Sequence, residues 1–176
     1  MAIPLSHEIK KILSLLQKRL SPSIKDAKWV EPENIHLTLK FLGEVEEKRV
    51  KDIAECCQMA VNEKPSFLIS LGAIGGFPNL VIPRVIWVGI KEEKERVEEL
   101  ANDLEERLHK IGFPKETRPF SSHLTLARIR LPKRVSFPAI EPEQASMKAL
   151  SIQLIQSTLL PKGATYQVLK EFRLCG

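Results

Sequence analysis

Apolar residues recur at helical spacing in three places along this chain. Ile9, Ile12, Leu13, Leu16 and Leu20 form the first stripe, with Ser6 as its N-cap, Glu8 in its first turn and Pro22 at its end. Val50, Ile53, Ala54, Cys57, Ala60 and Val61 form the second. Val97, Leu100, Ala101, Leu104, Leu108 and Ile111 form the third, stopped by Gly112 and Pro114. Between the stripes the pattern alternates or runs apolar over residues 2–5, 28–30, 35–42, 67–74, 85–90, 121–130, 149–159 and 165–174, which predicts strands. Turn residues separate them at 31–34, 43, 75–79 and 161–163. No two helices are consecutive, and the hairpin-like spacings favour antiparallel pairing, so the fold class is α+β, with helices packed outside mostly antiparallel sheets. Residues 132–142 hold three prolines and read as a flap over a basic region.

One tetrapeptide stands out of this pattern. His36-Leu37-Thr38-Leu39 returns half a chain later as His123-Leu124-Thr125-Leu126. Side chains in a strand alternate between faces, so each copy presents an imidazole and a hydroxyl on one side and buries two leucines on the other. Duplicated halves packed about a pseudo-twofold axis bring both His-x-Thr pairs into one central cleft. The chain then folds as a single two-lobed domain, residues 1–176, each lobe with its own small sheet.

Composition narrows the class. A chain of 176 residues with 43% hydrophobic and 28% charged residues is an ordinary globular protein. No apolar run is long enough to span a membrane, and the start lacks the basic and apolar regions of a signal peptide. Three cysteines, two of them adjacent, do not make a disulfide framework, so reduced thiols in a cytoplasm are expected. Cys57, on an apolar stripe, reads as a small core residue. Between residues 112 and 135, Lys115, Arg118, Arg128, Arg130, Lys133 and Arg134 face only Glu116, a local +5 equal to the net charge of the whole chain. A positive field around the second copy favours an anionic substrate, phosphate first; a solvated basic loop is the alternative.

Two imidazoles and two hydroxyls suit phosphodiester chemistry. Near neutral pH one imidazole can be neutral and take a proton from water while its partner, protonated, gives one to the leaving oxygen. Threonine hydroxyls and the Arg128 guanidinium can hold the phosphoryl oxygens, and the scheme uses neither metal nor cofactor. Zinc is a weaker reading, because His7 and His109 fall on helix surfaces and no His-Glu-x-x-His or Cys-x-x-Cys is present. Strand parity opposes a place in the cleft for two residues near the motifs. Phe41 and Arg128 each lie five residues past a histidine, on the wrong face unless the strand bulges or ends, whereas Lys40 has the parity to share the face of His36. For Phe41, packing in the core remains open.

The residues 29–43, Trp-Val-Glu-Pro-Glu-Asn-Ile-His-Leu-Thr-Leu-Lys-Phe-Leu-Gly, resemble the 2H phosphoesterases, and within them the LigT-like RNA 2′,3′-cyclic phosphodiesterases, formerly 2′-5′ RNA ligases. Residues 119–128, 83–89 and 154–159 also look like family segments. The resemblance implies a metal-independent enzyme that opens a terminal 2′,3′-cyclic phosphate on RNA to a 2′-phosphate. It implies His36 as general acid and His123 as general base, with Thr38, Thr125 and Arg128 on the phosphate. Phe41 matches a position that stacks on the terminal base. RNA 3′ ends, tRNA fragments among them, are the implied partners of a cytoplasmic monomer. Reverse 2′-5′ ligation and an RNA-end-binding module without turnover are the alternatives. The first strand is shorter than is usual in the family, which predicts a weaker sheet in the first lobe.

Overall fold

The computed structural model describes residues 1–131, 134–160 and 163–176. The turn at 161–163 and the start of the 132–142 segment therefore lie partly outside the described residues, as does Lys133. The three predicted helices are α1 (His7–Leu20), α2 (Val50–Val61) and α3 (Lys94–Lys110). Ser6 caps α1 by accepting the Ile9 N–H at 3.3 Å, and Leu13, Leu20, Cys57, Leu104 and Leu108 are fully buried along the three stripes. Burial pushes the Cys57 thiol up to about 12, so it is an inert core group.

Among the described residues nine strands, β1 (Ala2–Ile3), β2 (Ala27–Trp29), β3 (Leu37–Thr38), β4 (Phe67–Phe77), β5 (Val85–Ile90), β6 (His123–Ile129), β7 (Ser146–Ala149), β8 (Ser151–Leu160) and β9 (Gly163–Arg173), form two antiparallel sheets. The four-stranded sheet has the order β3-β1-β8-β9 and the five-stranded sheet β2-β6-β5-β4-β7. The architecture is the expected α+β pair of lobes, but the halves of the chain exchange strands. The first lobe takes β8 and β9 from the end of the chain, and the second takes β2 from its beginning. One apolar core runs beneath both sheets and includes Leu37, Leu39, Leu124 and Leu126. Gln17 of α1 ties the lobes further: its buried side-chain amide donates to the Val30 and Leu126 carbonyls at 2.7 and 3.0 Å.

Three segments differ from the sequence reading. The predicted strand 35–42 shrinks to Leu37–Thr38, because the Leu39 and Lys40 N–H groups both turn to the Met1 carbonyl, at 2.9 and 3.3 Å. Residues 75–77, placed in a turn by their glycines, continue β4. The Trp87 indole packs over Gly75, where any side chain would collide with it, so glycine marks a close approach here and not a turn. Residues 146–149 form β7 against the start of β4. Between Val135 and β7 the chain is held to the 78–84 turn and to β4 by bonds from the Val135 N–H to the Val81 carbonyl and from the Leu71 N–H to the Ala145 carbonyl.

Candidate active site

Both copies of the tetrapeptide alternate as a half-buried strand should. His36, Thr38, His123 and Thr125 are half-exposed, while Leu37 is 0% exposed, Leu39 4%, and Leu124 and Leu126 0%. All four leucines belong to the shared core, so the two His-x-Thr pairs ride above one apolar floor. β3 and β6, although in different sheets, approach within 8 Å between Cα atoms.

Each imidazole has a backbone partner two residues upstream. His123 Nδ1 lies 2.7 Å from the Ser121 carbonyl, and His36 makes a backbone hydrogen bond with Asn34, again two residues upstream. A carbonyl only accepts, so the proton sits on Nδ1 of His123 and the Nε2 lone pair is left free. Burial is the chief influence on both rings and pushes each below the ordinary histidine value. The N-terminal amine and Lys10 push His36 further down, and Arg128 does the same to His123, while the carbonyl bonds oppose the shift. The N-terminal amine itself donates to the Lys40 carbonyl at 2.7 Å, and burial lowers it to about 6.

Register settles the position of Arg128. In β5–β6, Gly89 pairs with His123, Trp87 with Thr125, and then Ile86 with Ala127 and Val85 with Arg128. Leu126 is thus an extra residue in β6. This bulge resets the parity, so that Arg128 shares the face of Val85, Trp87, Thr125 and His123. Phe41 is 68% exposed, which removes the core-packing alternative. Lys40 is the reverse: it is 5% exposed, and its ammonium bonds the Pro114 carbonyl and the Glu105 carboxylate, each at 2.7 Å. The parity that puts Lys40 on the face of His36 therefore does not carry to its ammonium, which is turned into the protein. The strand ends at Thr38, and beyond it parity no longer assigns a face. The basic cluster is also thinner than its sequence suggests, since Lys115 pairs with Glu106 at 2.5 Å. Arg118, Arg128, Arg130 and Arg134 are exposed.

Three aromatic rings complete the surroundings, and sequence reasoning missed all three. Phe77 meets the His123 ring edge to face at 5.0 Å, and Trp87 lies 6.1 Å from it. Tyr166 of β9 meets His36 edge to face at 5.3 Å. Phe77 was hidden by its glycine neighbours, and Trp87 sat in a strand with no marked partner. Nothing in the sequence links Tyr166 to His36. His7 and His109 are exposed on helices, as expected, and among the described residues no cluster of three metal-ligating side chains forms.

Known proteins carry the same arrangement of halves. The profile of the LigT-like phosphoesterases matches twice, over residues 3–87 and 88–166. A protein of Archaeoglobus fulgidus named RNA 2′,3′-cyclic phosphodiesterase is 38% identical over 97% of each chain. One of the same name from Thermotoga maritima is 36% identical over 99% of this chain and 94% of its own. A Thermus thermophilus crystal structure superposes with a TM-score of 0.87 at 30% identity, covering 99% of this chain and 96% of that one. The crystal structure of Escherichia coli LigT complexed with 3′-AMP does so with 0.81 at 26% identity, over 98% and 95%. With two matched halves, full-length relatives and a shared fold, the chain belongs to the LigT-like phosphoesterase family.

Proposed function

We propose that this protein hydrolyses the terminal 2′,3′-cyclic phosphate of RNA to a 2′-phosphate, using its two histidines and no metal. The observation that carries the proposal is the pair of half-buried His-x-Thr faces above one core. The activity named for the relatives supports the substrate. Water attacks phosphorus as His123 Nε2 takes its proton; the bond from phosphorus to the 3′ oxygen breaks, and His36 protonates that oxygen. Thr38, Thr125 and Arg128 hold the phosphoryl oxygens, where negative charge concentrates in the transition state. The carbonyl bonds are alike in the two copies, so the division into acid and base follows the family resemblance.

Burial favours the neutral form of both rings, whereas the general acid must be protonated. The bound phosphate supplies the counter-charge: its negative oxygens raise the affinity of His36 for a proton once substrate is in place. Phe41, exposed one residue beyond Lys40, offers its ring to the terminal base. RNA 3′ ends, tRNA fragments among them, met by a monomer in the cytoplasm, are the setting this reading gives.

The test is incubation of the protein with an oligoribonucleotide ending in a 2′,3′-cyclic phosphate, with and without a strong chelator. The expected product is the 2′-phosphate at an unchanged rate. A 3′-phosphate product, or loss of activity on chelation, overturns the scheme. Addition of a 5′-hydroxyl RNA tests the reverse reaction, which would appear as a joined 2′-5′ product. Binding without any product would leave a recognition module.

A further inference from the structure

The face of the five-stranded sheet that carries His123 extends past Arg128 to a second cation. In β2–β6, Lys28 stands directly opposite Arg128, and in β5–β6 Arg128 stands opposite Val85, which in turn pairs with Phe77. One row across the sheet therefore reads Lys28, Arg128, Val85, Phe77, all on the face of His123. The preceding row holds Thr125, Trp87 and Gly75, and the one before that His123 and Gly89. Rows on one face are two residues apart, about 7 Å at 3.3 Å per residue. Lys28 thus stands two rows from His123, at the sheet edge formed by β2.

Two like charges directly opposite each other in an antiparallel pair are destabilising unless something of opposite sign lies between them. Among the described residues neither Lys28 nor Arg128 is salt-bridged, and both are exposed. Among the described residues this row itself holds no acidic side chain, and it lies one row beyond the threonine assigned to the reacting phosphate. We propose that Lys28, one strand outward from the Arg128 assigned to the reacting phosphate, forms a subsite for the phosphodiester one nucleotide upstream of the terminal cyclic phosphate. The spacing of rows is of the order of one nucleotide step, and the position at a sheet edge lets the RNA leave the molecule there. This inference rests on the proposed RNA-end chemistry and adds the direction in which the RNA runs. Sequence reading passed over Lys28 because it lies in the first half of the chain, far from the basic cluster.

The experiment compares adenosine 2′,3′-cyclic phosphate, which has no upstream phosphate, with the dinucleotide ApA ending in the same cyclic phosphate. In Lys28→Ala the ratio of kcat/KM for dinucleotide over mononucleotide is expected to fall about tenfold, the loss of one charge-assisted contact. Lys28→Arg restores it. Lys51→Ala, which removes an exposed charge from α2, keeps the wild-type ratio. The salt dependence of the dinucleotide reaction should become shallower by about 0.7 in log–log slope, as for one phosphate contact on a single strand. An unchanged ratio in Lys28→Ala, or an equal fall in Lys51→Ala, overturns the subsite. If the wild-type protein turns over neither compound, the hydrolytic reading fails on its own. The same ratio is then taken from equilibrium binding of the two 2′-phosphate products, and it decides the subsite by the same criterion.

Discussion

His36 and His123 share a tetrapeptide, a buried leucine pair and a backbone hydrogen bond two residues upstream, yet their neighbourhoods are built differently. His123 begins a seven-residue strand in the interior of a five-stranded sheet, with Trp87 on the adjoining strand β5 and Phe77 on β4 beyond it. His36 precedes a two-residue strand at the edge of its sheet, and its aromatic neighbour, Tyr166, comes from a hairpin strand near the other end of the chain. The second copy is held by the sheet itself. The first depends on contacts from distant parts of the sequence, including the start of the chain and β9. A repeated motif therefore stands on unequal supports, and the two sides should respond differently to substitution.

The largest effect expected is one the two copies share. On the proposed mechanism His36→Ala and His123→Ala each remove one proton-transfer group, so kcat should fall about a hundred- to ten-thousand-fold in either variant. If the two act in one concerted step, as proposed, the double variant should be little worse than the worse single one. Steady-state kinetics on a cyclic mononucleotide, with circular dichroism to show that the fold survives, makes the measurement. Full activity in either variant would remove the paired-histidine scheme.

Gly75→Ala separates the sides. A methyl group at this position overlaps the Trp87 ring, which cannot yield without disturbing Phe77, 5.2 Å away, and through it His123. Overpacking of this kind costs about 1–3 kcal/mol, and it falls on the second lobe alone. Thermal unfolding should show the loss of stability, and kcat should drop with it. An alanine variant as stable and as active as the wild type would mean that the indole has room to move, and that the rigid support attributed to His123 is not there.

The same unevenness decides what the sequence made legible. All three helices were readable, because a buried stripe repeats every three to four residues whatever its surroundings. The inward leucines and outward histidines were readable for the same kind of reason, since strand parity is local. Parity failed where the ladder changes. At Leu126 an extra residue turns Arg128 onto the face of His123, and after Thr38 the backbone leaves the ladder for Met1, which buries Lys40 and exposes Phe41. Neither event has a local signature, since each depends on what the neighbouring strand offers. Glycine was ambiguous for a related reason: at Gly75 it makes room for an indole twelve residues away, which composition alone presents as a turn. The exchange of strands between lobes, and with it the meeting of Tyr166 and His36, is a property of the whole topology and has no sequence signal at all.

The smallest expected effect is the most informative about His36. Tyr166 is 41% exposed, so Tyr166→Ala costs little stability, but it opens one side of the imidazole to water. Burial is the main reason that His36 binds its proton weakly in the free protein. With that burial partly relieved, its pKa should rise toward the ordinary histidine value. In the wild type both rings are lowered, so the bell-shaped kcat/KM profile should centre below pH 6.5. The kcat profile should lie at higher pH, because bound phosphate favours the protonated acid. In Tyr166→Ala the limbs of kcat/KM belong to the coupled pair, but the shift has one sign: the profile moves to higher pH. Tyr166→Phe keeps the ring and should leave the profile in place. A profile that stays fixed in Tyr166→Ala, or moves equally in Tyr166→Phe, would mean that the ring does not shield His36 and that its burial comes from the core side alone.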